Sequence, residues 1–145
     1  MSFIMHLLRK FSILVLFLLL VSSCEEDITP FPNVSINLTL AIDTDLGNIT
    51  YNQYKFIEGY GFGGLIIYRN ADGDFQAYDR ACTHDYEKGC ILQAHPDFTE
   101  IMECPCCGSS FWLSLNGQVY EGPAKRPLKQ YTVYRLSGNM IKILN

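Results

Sequence analysis

This chain of 145 residues predicts a single all-β domain, an antiparallel sandwich or small barrel. Three observations carry that expectation. Apolar residues recur at every second position in several short runs, and turn-forming clusters separate those runs. After the first thirty residues, no stretch sustains the 3.6-residue period of an amphipathic helix.

The N-terminus reads as a targeting segment. Arg9 and Lys10 form a basic flank before residues 11–21, an uncharged run that is apolar except for Ser12. A bilayer core of about 30 Å takes roughly 20 helical residues to cross, so this run is too short for a span and fits a secretory signal. It ends in Val21-Ser22-Ser23-Cys24, which resembles the lipobox of bacterial lipoproteins. That resemblance implies cleavage before Cys24, a lipid on its thiol, and a place in the bacterial cell envelope, at the periplasmic face or the cell surface. An ordinary signal peptide with a chance cysteine is the plainer alternative. Residues 1–23 are therefore expected to be signal peptide. Residues 24–33, acidic and carrying Pro30 and Pro32, form an extended tether, and residues 34–145 form the domain.

Losing Arg9 and Lys10 with the signal takes the formal charge from −4 to −6. A net acidic domain without a basic stripe argues against nucleic acid as a partner. The membrane, through the lipid, is the partner the sequence names.

The strands follow in order. Val34, Ile36, Leu38 and Leu40 alternate with polar residues, a half-buried strand. Residues 65–68 and 75–78 flank Asn70-Ala71-Asp72-Gly73 and read as a hairpin. Further strands are expected over 99–102, 110–113, 118–120, 132–136 and 140–144, with turns at Asn116-Gly117 and Ser137-Gly138-Asn139. Tyr51, Tyr54, Phe56, Tyr60 and Phe62 read as packing residues. Gly59, Gly61, Gly63 and Gly64 read as a flexible β-connection, because neither a helix nor a Lys-Ser/Thr ending follows to make a phosphate loop.

The chemistry is in the cysteines, at 24, 82, 90, 104, 106 and 107. With Cys24 assigned to lipid, five remain, and simple pairing strands one thiol. They fall in two clusters, Cys82-Thr83-His84 with Cys90, and Cys104-Pro105-Cys106-Cys107. Two short loops of soft ligands converging on one metal explain this layout better than disulfides alone.

Cys82-Thr83-His84, then Cys104-Pro105-Cys106-Cys107-Gly108-Ser109, then Gly122-Pro123-Ala124-Lys125-Arg126-Pro127-Leu128 resemble, in order and spacing, the C-T-H, C-P-C-H-G-S and G-P-A-x-R-P-L stretches of Rieske iron–sulfur domains. The resemblance covers residues 75–145. It implies a Rieske-like antiparallel β sandwich with a small two-loop subdomain that binds a [2Fe–2S] cluster. By position, Cys82 and Cys104 correspond to the cysteine ligands and His84 to a histidine ligand. Cys90 and Cys106 correspond to the disulfide clasping the loops. Cys107 stands where the family has its second histidine, and the first loop is longer by about three residues than the common form. Cys82, His84, Cys104 and Cys107 then form a Cys₃His set, with Ser109 beside it. Such a set holds a [2Fe–2S] cluster in another family, the mitochondrial outer-membrane iron–sulfur proteins, and equally suits tetrahedral Zn²⁺.

Three readings stay open on the residues: a cluster, zinc, or a Rieske fold without a cofactor. The signal lacks twin arginines, so a chain exported unfolded would acquire iron and sulfide outside. Exposed thiols there tend to oxidise, and Cys104 with Cys107 form a possible C-x-x-C pair. The expected role is one-electron transfer to an unnamed redox protein, as a carrier or accessory subunit more than an enzyme. Histidine ligation lifts Rieske centres to about −150 to +300 mV, against about −400 mV for plant-type all-cysteine centres. Cys107 in place of histidine, and Phe111 where the family has a tyrosine hydroxyl, both predict a lower potential. His95 reads as a solvated loop residue, and Lys125, Arg126 and Lys129 as a solvated rim.

Overall fold

Two antiparallel sheets stack around one strand that is buried on both faces. The computed structural model describes residues 30–145; the expected signal peptide and Cys24 lie outside the described residues. The strands are β1 (Asn37–Ala41), β2 (Gln53–Ile57), β3 (Leu65–Arg69), β4 (Phe75–Asp79), β5 (Gln93–Ala94), β6 (Ile101–Glu103), β7 (Ser110–Trp112), β8 (Gln118–Glu121), β9 (Gln130–Leu136) and β10 (Met140–Leu144). The larger sheet runs β1-β10-β9-β4-β3-β2 and the smaller β5-β6-β7-β8. Among the described residues the helical pieces are single 3₁₀ turns at Tyr86–Lys88 and Leu113–Leu115. The all-β class expected from the sequence is the observed one.

Strand chemistry explains the layering. In β1, Leu38 and Leu40 are buried while Asn37 and Thr39 face water, the alternation of a one-sided strand. In β3, the run Leu65-Ile66-Ile67-Tyr68 has no alternation because both faces are covered. Leu65 and Ile67 join Leu38, Leu40, Ile141 and Ile143 in one core. Ile66 and Tyr68 join Leu92, Met102, Phe111 and Leu113 of the smaller sheet in a second, which also contains Cys82 and Cys104. The Tyr78 hydroxyl donates to the Leu113 carbonyl at 2.9 Å and ties the sheets together.

The expected hairpin forms, with Leu65 opposite Asp79 and Arg69 opposite Phe75. Two strands were not expected. β2 carries the aromatics Tyr54 and Phe56 and pairs with β3, and β5 is only two residues long. The glycine-rich segment between β2 and β3 is held more firmly than its composition implies. The buried Asp79 carboxylate accepts from Phe62 N–H (2.6 Å), Gly63 N–H (3.0 Å), Ala81 N–H (2.9 Å) and the Tyr131 hydroxyl (2.7 Å). Gly63 must be glycine, since a Cβ there would meet the Ala81 nitrogen at 2.7 Å.

Candidate metal centre

The first loop leaves β4 and returns to β5 through a narrow neck. Cys82 N–H donates to the Cys90 carbonyl (2.9 Å) and Leu92 N–H to the Arg80 carbonyl (2.8 Å). Between them the 3₁₀ turn at Tyr86–Lys88 closes on Gly89, whose φ of 71° is left-handed. The Tyr86 ring packs edge-on against Phe31 (5.2 Å between centroids) and Phe62 (5.9 Å), which supports the loop from behind. The second loop, between β6 and β7, is pinched by Gly108 N–H to the Cys104 carbonyl (2.9 Å) and Cys104 N–H to the Ser109 carbonyl (2.8 Å).

A third segment, after β8, covers both loops. Gly122 lies so close to the second loop that a Cβ would fall 2.5 Å from Ser109 Cα. Ala124 N–H donates to Ser109 Oγ at 3.0 Å. Thr83 Oγ1 donates to the Arg126 carbonyl (2.9 Å), and the Arg126 guanidinium donates back to the Thr83 carbonyl (3.2 Å). Arg126 is thus a clasp on the first loop, not the solvated rim residue its sequence context implied.

Within this frame the sulfurs of Cys82, Cys104 and Cys107 all lie within 4.8 Å of one another. Cys82 and Cys104 are buried, and Cys107 is partly exposed. Cys82 and Cys107 are 3.7 Å apart, and the Cys107 thiol donates to Ser109 Oγ at 3.1 Å. Cys90 and Cys106 are joined, with their sulfurs 2.00 Å apart. His84 is not among the atoms that meet within 4.8 Å. Its side chain is 45% exposed, with Nε2 4.0 Å from Asp85 Oδ1. His95 stays in a loop, against the Phe98 ring.

Burial pushes the Cys82 thiol up to about 12, against the pull of the Asp85 and His84 backbone. A thiolate there is costly unless a cation neutralises it, which is what a metal ion does on binding. The Lys88 ammonium, 2.7 Å from Asp85 Oδ1, holds the buried Asp85 carboxyl below the usual range. Asp85 and Lys88 lie in the longer part of the first loop, and nothing in their residue types alone marked them.

A family model described as the Rieske [2Fe-2S] domain matches residues 43–132. The chain belongs to the Rieske family. It is 28% identical over 116 residues to the cytochrome b6-f complex iron–sulfur subunit of Chlorobaculum tepidum; the match covers 79% of this chain and 58% of that protein's length. The plasma-membrane Rieske protein PetC3 of Synechocystis superposes with a TM-score of 0.54 at 25% identity, over 76% of this chain and 99% of that one. The ferredoxin of Sphingomonas yanoikuyae gives a TM-score of 0.53 at 24% identity over the same shares, a likeness of fold. This chain carries its cysteine-rich region on the fold of these Rieske proteins. Among the described residues, no helix is long and apolar enough to cross a membrane.

The donor chemistry fits the family's cluster. Three thiols converge, with a hydroxyl at hydrogen-bond distance from one of them, and an imidazole lies on the first loop.

Proposed function

We propose that this protein is a lipid-anchored envelope component in which Cys82, Cys104, Cys107 and His84 hold a [2Fe–2S] cluster. The observation that carries the reading is the convergence of three sulfurs from two loops, at the positions of the family's ligand motifs. A cluster held there supplies one-electron transfer.

The chain's own residues set its character. Cys107 adds a thiolate where the family has a neutral imidazole, so the site carries one more negative charge. Phe111, fully buried, donates no hydrogen bond. Ser109 keeps a hydroxyl, aligned by Ala124 N–H, that can donate to a Cys107 thiolate. Thr83 and Arg126 hold the first loop against the covering segment and limit water entry. Extra negative charge and one fewer donor both disfavour the reduced state, so the potential is low and unsuited to accepting electrons from a quinol. Cys90–Cys106 clasps the loops, and residues 24–33 link the domain to a lipid on Cys24. The electron partner is another redox protein at the same membrane.

Voltammetry on cluster-loaded wild type and Cys107→His tests this. Wild type should fall below the about −150 to +300 mV Rieske window, and the histidine variant should move up toward it. A wild-type midpoint inside that window at neutral pH, or no upward move, overturns the low-potential reading.

A further inference from the structure

Among the described residues, two of the three free thiols differ sharply in access. Cys82 is fully buried, whereas Cys107 is partly exposed at the tip of the second loop. Their sulfurs are 3.7 Å apart, on different loops, and neither is in a disulfide. A disulfide needs about 2.05 Å, so the two sulfurs must approach by under 2 Å. Cys104 is buried beneath them, beside the existing Cys90–Cys106 bridge.

We propose that Cys107 is a thiol-modification site that takes a small-molecule disulfide from solvent, with Cys82 as the resolving thiol. The bridge they form closes the site to metal. In the first step the Cys107 sulfur attacks one sulfur of the oxidant; a Cys107–oxidant S–S bond forms, and the other half leaves as a thiol. In the second, the slow step because burial disfavours the Cys82 thiolate, the Cys82 sulfur attacks Cys107 as its proton passes to the leaving group, the Cys82–Cys107 bond forms, and the second half leaves as a thiol. Two protein thiols are oxidised, one oxidant disulfide is reduced, and both protein protons end on the leaving thiols. Of the four proposed ligands only Cys104 and His84 then remain, too few donors for a four-ligand site.

Position and compartment both favour this chemistry. A histidine at position 107 cannot form such a bridge, so the residue that alters the ligand set also makes it oxidisable. An exported chain meets an oxidising environment. The inference concerns the site named under the proposed function and rests on that reading for the oxidising surroundings and for its consequence, loss of metal; the bridge itself forms from residues already in place.

The test uses the purified, metal-free full chain carrying the Cys90–Cys106 bridge, treated with oxidised glutathione. Non-reducing peptide mapping, intact mass and Zn²⁺ uptake are the readouts. Wild type should link Cys82 to Cys107, retain no glutathione and lose Zn²⁺ uptake, and Zn²⁺ added first should block the linkage. Cys82→Ser should stop with one glutathione on Cys107, and Cys107→His should take none at that loop. A lasting adduct on Cys107 of wild type, a Cys104–Cys107 link, or a Cys82–Cys107 link with unchanged Zn²⁺ uptake overturns the proposal. A reduced chain that takes up no Zn²⁺ counts against the metal reading, while the peptide map still decides whether Cys107 and Cys82 pair.

Discussion

Asp79→Ala removes the acceptor on which four donors from three segments converge. Asp79 itself is fully buried, and Ala81 and Tyr131 are only 2% and 3% exposed. Their N–H and hydroxyl cannot turn to water when the carboxylate is gone. Phe62 is 45% exposed, so its N–H and that of neighbouring Gly63 can be rehydrated. A buried donor left unpaired costs about 1–3 kcal/mol, so the two sealed donors set about 2–6 kcal/mol. Relief of the carboxylate's own desolvation offsets part of this, leaving about 2–4 kcal/mol of lost stability. Ala81 is also the residue before Cys82, so the variant should loosen the first loop and retain metal less well. Urea denaturation followed by the single tryptophan, Trp112, reads the stability. Tyr131→Phe should cost about 1 kcal/mol alone. Asp79→Ala should cost less in that background than in wild type, because one of its stranded donors is already absent. An Asp79→Ala stability within about 1 kcal/mol of wild type refutes the view that this carboxylate pins the glycine-rich segment.

Burial raises Tyr131 and Tyr78 above the ordinary value of 10.0, Tyr131 also through Asp79 and Tyr78 also through Tyr68. The folded chain keeps protons that the unfolded chain releases, so stability present below pH of about 10 is lost as pH rises beyond it; urea midpoints across that range should fall for wild type and fall less for Tyr78→Phe. Gly122→Ala places a Cβ 2.5 Å from Ser109 Cα at a φ of +100°. It should cost about 1–3 kcal/mol and displace Ser109 from Cys107, lowering metal retention; unchanged metal content speaks against the covering role of this segment. Cys24→Ser should leave an unprocessed or unanchored form, and membrane fractionation identical to wild type contradicts the lipid anchor.

The alternating strands were legible because a one-sided strand writes its burial into every second residue, as in β1 and β10. The hairpin of β3 and β4 was legible from Asn70-Ala71-Asp72-Gly73, where Gly73 takes a φ of 92°. β2 was missed because Gln53-Tyr54-Lys55-Phe56 is short and lies beside four glycines that read as slack chain. What stiffens that region is Asp79, an ordinary acid at the end of β4 whose partners lie 16, 17 and 52 residues away. The cysteine motifs made the site's location legible. The role of Arg126 was not, because its contact with Thr83 spans 43 residues and depends on how the covering segment folds back. Nor does residue type reveal that Cys107 approaches Cys82 of the other loop at 3.7 Å.

The iron–sulfur cluster proposed here sits on Cys82, Cys104, Cys107 and His84. The most direct measurement is the iron, acid-labile sulfide and zinc content of the protein purified without air from its native membrane. A bound [2Fe–2S] cluster gives about two irons and two sulfides per chain with no zinc, and Cys104→Ser should lose both iron and sulfide. Zinc without sulfide, or a folded chain free of both metals, contradicts it.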